Sequence, residues 1–207
     1  HLSLRRQRQM CIRDRTMTIA RGCVDTIPKA HVAGEKIFIV STNAGGDGAE
    51  YAAGESVAVQ ILPFTSTAEL AASLAPTDNV NIVGRQGRPF APGNVLVNGN
   101  PFTAAHSGSS IAITWAHRNR ITQQDKLIPH GHVSVTPEAG TTYRIRVYAG
   151  NTSTPVRTVT GIAGTSFTYT SAMATEDGTT NPWFELETLR DGFVSHNRYR
   201  FGATMTA

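Results

Sequence analysis

Thr142-Tyr-Arg-Ile-Arg-Val-Tyr148 decides how the rest of this chain reads. Tyr143, Ile145 and Val147 fall on one side of an extended backbone, and Arg144, Arg146 and Tyr148 on the other. A period of two sends one row of side chains into a core and the other toward water, as in a strand with one covered face. Ser109-Ser-Ile-Ala-Ile-Thr-Trp115 upstream and Tyr199-Arg-Phe-Gly-Ala-Thr204 downstream repeat the alternation. Asn94–Asn98, Val156–Thr160, Thr165–Thr170 and Trp183–Arg190 add further strand-like runs, divided by Gly, Pro, Asn and Asp. Asp191-Gly192 is a turn signal for a hairpin-like pair formed by Trp183–Arg190 and His196–Thr204. Short strands punctuated in this way predict a β-sandwich over residues 94–207, interrupted by a long insertion at 117–140.

Residues 16–88 also alternate, in shorter runs, and predict a small β-rich domain. Its expected strands are Thr18–Asp25, Glu35–Ser41, Glu55–Leu62 and Asn79–Val83. Glu35–Ser41 is apolar on both faces, the mark of a central strand. Val57, Val59 and Ile61 share one face of the third run. Ser66-Thr-Ala-Glu69 has the form of a capping box and predicts one or two helical turns from Ala68, ended before Pro76. Asn43–Gly48 is a turn of residues that tolerate positive φ, and its one Asp falls short of the six or more oxygens that calcium takes. Pro89 and Pro92 fix φ, so residues 89–93 are expected to form a stiff linker between the two parts. The fold class expected is therefore all-β, a small β-domain followed by a sandwich.

The charge balance says little about the folded part. The chain has 207 residues, with 19 Lys and Arg against 15 Asp and Glu. Residues 1–15 contain Arg5, Arg6, Arg8, Arg13 and Arg15 and one acid, Asp14. Without them 14 basic residues (19 less five) face 14 acidic ones (15 less one). The formal net charge of +4 thus belongs to the head, and a nucleic-acid partner has no support outside it. The head lacks the apolar core of a secretory signal, and it resembles translated sequencing-adapter read-through. Set apart as non-native, it makes the chain the expected C-terminal end of a longer protein. No run of about 18 apolar residues is present, so no membrane insertion is expected. Cys11 lies in the head, leaving Cys23, which reads as a small buried hydrophobe on a strand.

The sequence carries no catalytic pattern. The sequence has no Gly-x-Ser-x-Gly elbow and no Gly-rich phosphate loop, so no enzyme, cofactor or metal is expected. His130-Gly-His132 has a spacing that can serve a metal, but no carboxylate or third His is close in sequence, and a polar loop is the better account. Trp115 alternates with Ile111 and Ile113 and belongs to the core. Trp183 shares a face with Glu185 and Glu187, where an exposed ring can stack on a sugar or fill a partner's pocket. Arg144, Arg146, Arg198 and Arg200 stand out as a charge pattern. Neighbouring strands would bring all four to one sheet face, paired with Glu185 and Glu187 or turned to an anionic ligand such as an acidic polysaccharide. These four and Trp183 are the candidate ligand-binding residues.

Trp115 in Ile-Ala-Ile-Thr-Trp, Tyr143–Tyr148 and Phe184–Arg190 resemble the second, third and sixth strands of a fibronectin type III domain. The 117–140 insertion and the lack of a clear tyrosine-corner pattern before Phe184 depart from that family. A second resemblance covers most of residues 18–205. Its segments are Arg21–Pro28, Gly34–Ile39, Arg88–Asn98, Ile113–Thr122 and Glu187–Gly192. They are similar to the C-terminal region of the tail-tip or host-specificity proteins of siphophages and gene transfer agents. That resemblance implies a structural virion component located in the tail and made in the host cytoplasm. It further implies other tail proteins as partners, a homo-oligomer about the tail axis, and attachment to a bacterial surface polysaccharide. It carries no catalytic residue onto this chain. The alternative expectation is a carbohydrate-binding accessory module of a secreted bacterial enzyme.

Overall fold

The computed structural model describes residues 19–36, 48–123 and 126–206. The head, most of the Glu35–Ser41 run and most of the Asn43–Gly48 turn lie outside the described residues. The described part is nearly all β from Ser56 onward, the 117–140 insertion apart, and the strands pair antiparallel apart from one short parallel ladder.

β1 (Ser56–Gln60) and β2 (Thr77–Asn81) form a two-stranded ladder in which Val57 opposes Val80. The remaining strands build two larger sheets. The first joins β3 (Gly93–Val97), β4 (Asn100–Pro101), β6 (Ser110–Ala116) and β9 (Ser166–Thr170) in the order β4-β3-β6-β9. The second has β7 (Thr142–Ala149) between β8 (Pro155–Ile162) and β10 (Pro182–Arg190). Beyond β10 it is completed by β11 (Phe193–Val194) and β12 (Tyr199–Gly202). One six-residue helix, α1 (Ser171–Glu176), follows β9, its first turn capped by the Thr170 hydroxyl, which accepts from Met173 N. The chain then leaves the second sheet, and β13 (Thr204–Met205) pairs with β5 (Ser107–Gly108).

Alternation fixes which side chains meet. Val95, Val97, Ile111, Ile113 and Trp115 of the first sheet share one core with Tyr143, Ile145, Val147, Phe184, Leu186, Tyr199 and Phe201 of the second. Aromatic rings cross between the sheets edge to face, Trp115 with Tyr143 at 5.2 Å and Tyr169 with Phe184 at 5.4 Å. Burying side chains of this size contributes about 1.5–3 kcal/mol each, and this core supplies most of the drive to fold. Two hairpins close on paired left-handed residues, as primed turns require: Asn98-Gly99 (φ 48 and 78) and Asp191-Gly192 (φ 48 and 78).

Two expectations are corrected. Residues 19–25 form a turn and not a strand, with Thr26 N and Oγ1 both donating to Cys23 O, at 3.1 and 2.6 Å. The cause lies at Gly22, whose φ is 63 and where any Cβ would stand 2.8 Å from His130 and Pro28. Cys23 is consequently half-buried in a turn. The helix expected from Ala68 is also absent; the Thr65 hydroxyl accepts from Ala68 N at 3.1 Å, and only a 3-10 turn forms at Ala72–Leu74. A segment this short, with Leu74 exposed, has no covered apolar face to offset helix nucleation. Residues 89–93, expected as a stiff linker, are largely covered. Pro89, Ala91, Pro92 and Gly93 are buried, and the Tyr199 hydroxyl donates to Pro92 O at 2.7 Å.

Candidate functional site

Two places gather polar side chains in numbers: the outer face of the second sheet and the 117–140 insertion. The outer face is built on β10. Its register sets Glu185 opposite Arg146 on one side and Arg200 on the other, with Glu187 opposite Arg144. Arg144 Nε reaches Glu187 at 2.5 Å, and Arg146 reaches Glu185 at 2.5 Å and Glu187 at 3.1 Å. Arg198 and Arg200 approach Glu185 at 3.3 and 3.7 Å. All four arginines named from sequence therefore stand together, and the cross-strand pairing is the one that alternation predicts.

Their vertical order adds something alternation does not show. The Glu185 and Glu187 side chains are only 3% and 2% exposed, whereas Arg144, Arg146, Arg200 and Arg198 are 20, 22, 32 and 59% exposed. Anions lie beneath and cations above, four against two, so the solvent-facing layer is positive. Burial weighs against the Arg146 charge, and Glu187 and then Glu185 more than offset it, holding its pKa above the ordinary value.

Trp183 closes one end of this face. It is half-buried, with its indole laid against Gly202, where a Cβ would come within 2.9 Å of the ring. The Arg200 guanidinium sits 4.5 Å from the Tyr148 ring centre and 5.8 Å from that of Trp183. Asn151 Oδ1 accepts from its Nε and Nη2 at 3.3 and 3.0 Å, and Thr152 O accepts from Nη2 at 2.6 Å. Sequence placed Tyr148 on this face but missed Asn151 and Thr152, because loop residues carry no period to read.

The insertion is organised by consecutive residues of a single motif, His117-Arg118-Asn119-Arg120. Arg118 is buried, and its guanidinium donates to the carbonyls of His117, Pro129, His130, His132 and Val133 at 2.8–3.3 Å. Gly93 makes room for it, since a Cβ there would stand 1.9 Å from Nη2. Asn119 Oδ1 accepts from Ile121 N and Thr122 N, and its Nδ2 donates to Thr136 O. Arg120 and Arg190 share the buried Glu138, at 3.1 and 2.6 Å.

His130 and His132 turn apart. His130 Nδ1 lies 3.1 Å from the Tyr199 hydroxyl and its ring packs against Phe102, while His132 is exposed. Tyr199 spends its proton on Pro92 O, so His130 donates from Nδ1. Burial, reinforced by Arg118, pushes the His130 pKa down; burial alone does so at His117, whose Nδ1 is 2.7 Å from the Tyr143 hydroxyl. Burial raises both tyrosines well above their ordinary range. Among the described residues no group of three or more His, Cys, Asp or Glu is placed to hold a metal ion. An open groove between α1 and β13, floored by Ala174 and Met205, is lined by Ser171, Thr175, Thr179, Thr180 and Thr206 and carries no charge.

Comparison with protein-family models and with curated proteins found no match to the chain. Among the described residues no helix is long and apolar enough to cross a membrane.

Proposed function

We propose that this chain is a non-enzymatic structural component of a phage tail tip, with a fibronectin type III-like sandwich presented for assembly or host-surface attachment. One observation carries the proposal. Most of the segments that bear the tail-protein resemblance, far apart in sequence, meet at one seam around the insertion. Arg21 O accepts from His130 N at 2.8 Å, and Asn94 N donates to His130 O at 2.6 Å. Gly93 receives Arg118, and Arg190 joins Arg120 on Glu138. Arg85, just before the Arg88–Asn98 segment, donates to Asp25 Oδ1 at 2.8 Å, and Asn197 Nδ2 donates to Asp25 O at 2.8 Å. Motif residues that hold a frame together fit a protein whose work is to position surfaces. Its location would be the virion tail after synthesis in the host cytoplasm, among other tail proteins and as a homo-oligomer, where weak sites gain from repetition.

A second reading rests on Trp183 and the arginine face: a carbohydrate-binding accessory module of a secreted bacterial enzyme. The DNA flanking the coding sequence separates the two. Tail-assembly genes on either side, with peptides of this chain in purified particles, are expected; a hydrolase domain in frame upstream would replace the first reading with the second.

A further inference from the structure

We infer that the outer face of β7, β10 and β12 is a binding site for a carboxylate-bearing polysaccharide. The inference deepens the attachment half of the proposed function and rests on it only in taking a cell-surface polymer as the ligand. Three features of the face point the same way. Two deeply buried carboxylates lie beneath four guanidiniums, hold Arg144 and Arg146 closely, and leave two of the four charges uncompensated at the surface. Arg200 is pinned on the Tyr148 ring and tied to Asn151 and Thr152, so little side-chain entropy remains to be lost on binding. Arg198, 59% exposed with one contact at 3.3 Å, keeps most of its five N–H donors for an incoming carboxylate.

Saccharide is favoured over other polyanions by what surrounds the cations. Trp183 presents aromatic surface beside them for the apolar face of a sugar ring, and exposed Thr158, directly opposite Arg146 on β8, supplies a hydroxyl. The surface is an open sheet face, suited to one extended chain lying across it. Nucleic acid is disfavoured because its affinity comes from neutralising many phosphates, and this face offers only two uncompensated charges.

Affinity electrophoresis of the full chain in native gels tests the inference. The gels contain polygalacturonate, its methyl ester (the same backbone without the charge) or inorganic polyphosphate (the charge without the sugar). Polygalacturonate is expected to retard the protein, and the other two to do so at least several-fold less. Arg198→Ala should weaken the retardation about tenfold and Arg198→Glu should abolish it. Lys126→Ala, at an exposed residue of the insertion, should leave it unchanged. Thermal melting of each variant confirms that it is folded. Absence of retardation by polygalacturonate, equal retardation by polyphosphate, or indifference to Arg198→Ala would each overturn the inference. None of these outcomes bears on whether the protein resides in a phage tail, which particle composition decides separately.

Discussion

Arg118 and Glu185 are each a buried charge with several partners, and they make opposite demands on their surroundings. Arg118 has no carboxylate and is satisfied by five backbone carbonyls, so its removal leaves acceptors unpaired and a void against Gly93. Arg118→Ala is expected to destabilise the protein by about 3 kcal/mol or more, measured as a shift in urea midpoint at constant slope. Glu185 holds three guanidiniums, and Glu185→Ala would set them against one another; Arg198→Ala, at the exposed rim, is expected to change stability by no more than about 0.5 kcal/mol. The same denaturation series checks this contrast, and equal effects at the two positions would contradict the layered arrangement. The arginine face was legible in the sequence because strands make residue parity into position. Arg118 was not, because its partners at 129–133 are joined to it by folding alone and follow no period.

At the scale of elements, most strands after Gly93 were readable to within a residue or two, the last excepted (His196–Thr204 expected, Tyr199–Gly202 found), and several departures have local causes. β8 continues through Gly161, whose φ of 71 accommodates a bulge that pattern alone places in a loop. Helix α1 went unread since six residues hold too few periods to announce a helix, although Thr170 before Ser-Ala-Met-Ala is a fair cap signal. The insertion carries no pattern that assigns it a role from sequence, and in the fold it is held by the Arg118 and Asn119 hydrogen bonds. Its hydrogen bonds predict slow amide exchange at Asn94 and Asn119, whose N–H groups donate to His130 O at 2.6 Å and Gln123 Oε1 at 2.7 Å. Arg118→Lys should speed exchange at Asn94 while leaving the β7 amides slow, as followed by two-dimensional NMR. The insertion also carries a pH dependence. His117 and His130 have pKa values below the ordinary 6.5 in the folded chain, so the unfolded chain binds more protons in that range. Stability is therefore full above about pH 6.5 and falls as the pH drops toward the lowered values. Asp25, held below its ordinary 3.8 mainly by its hydrogen bond to Arg85, adds a loss only in stronger acid. Urea midpoints at pH 7.5 and 5.5 should differ accordingly, and His130→Gln should reduce the difference.

Over the whole molecule, the residues before Gly93 and the two larger sheets are tied by side chains, two of them donating to backbone carbonyls. Arg88 reaches Val194 O at 3.4 Å, Arg120 reaches Gln86 O at 3.3 Å, and Ile27 packs on the core that the two larger sheets share. The Pro-rich segment that reads as a boundary in sequence is buried in this contact, because composition marks where φ is fixed and not what later covers it. A frame stiffened in this way, with cations displayed over buried acids, suits a part that holds a surface in place. Immunogold electron microscopy of particles from the host strain, with antibody raised against residues 94–207, is the most direct measurement of that role. Gold is expected at the tail end distal to the capsid. Unlabelled particles, with the protein recovered instead as part of a secreted enzyme, would contradict the account.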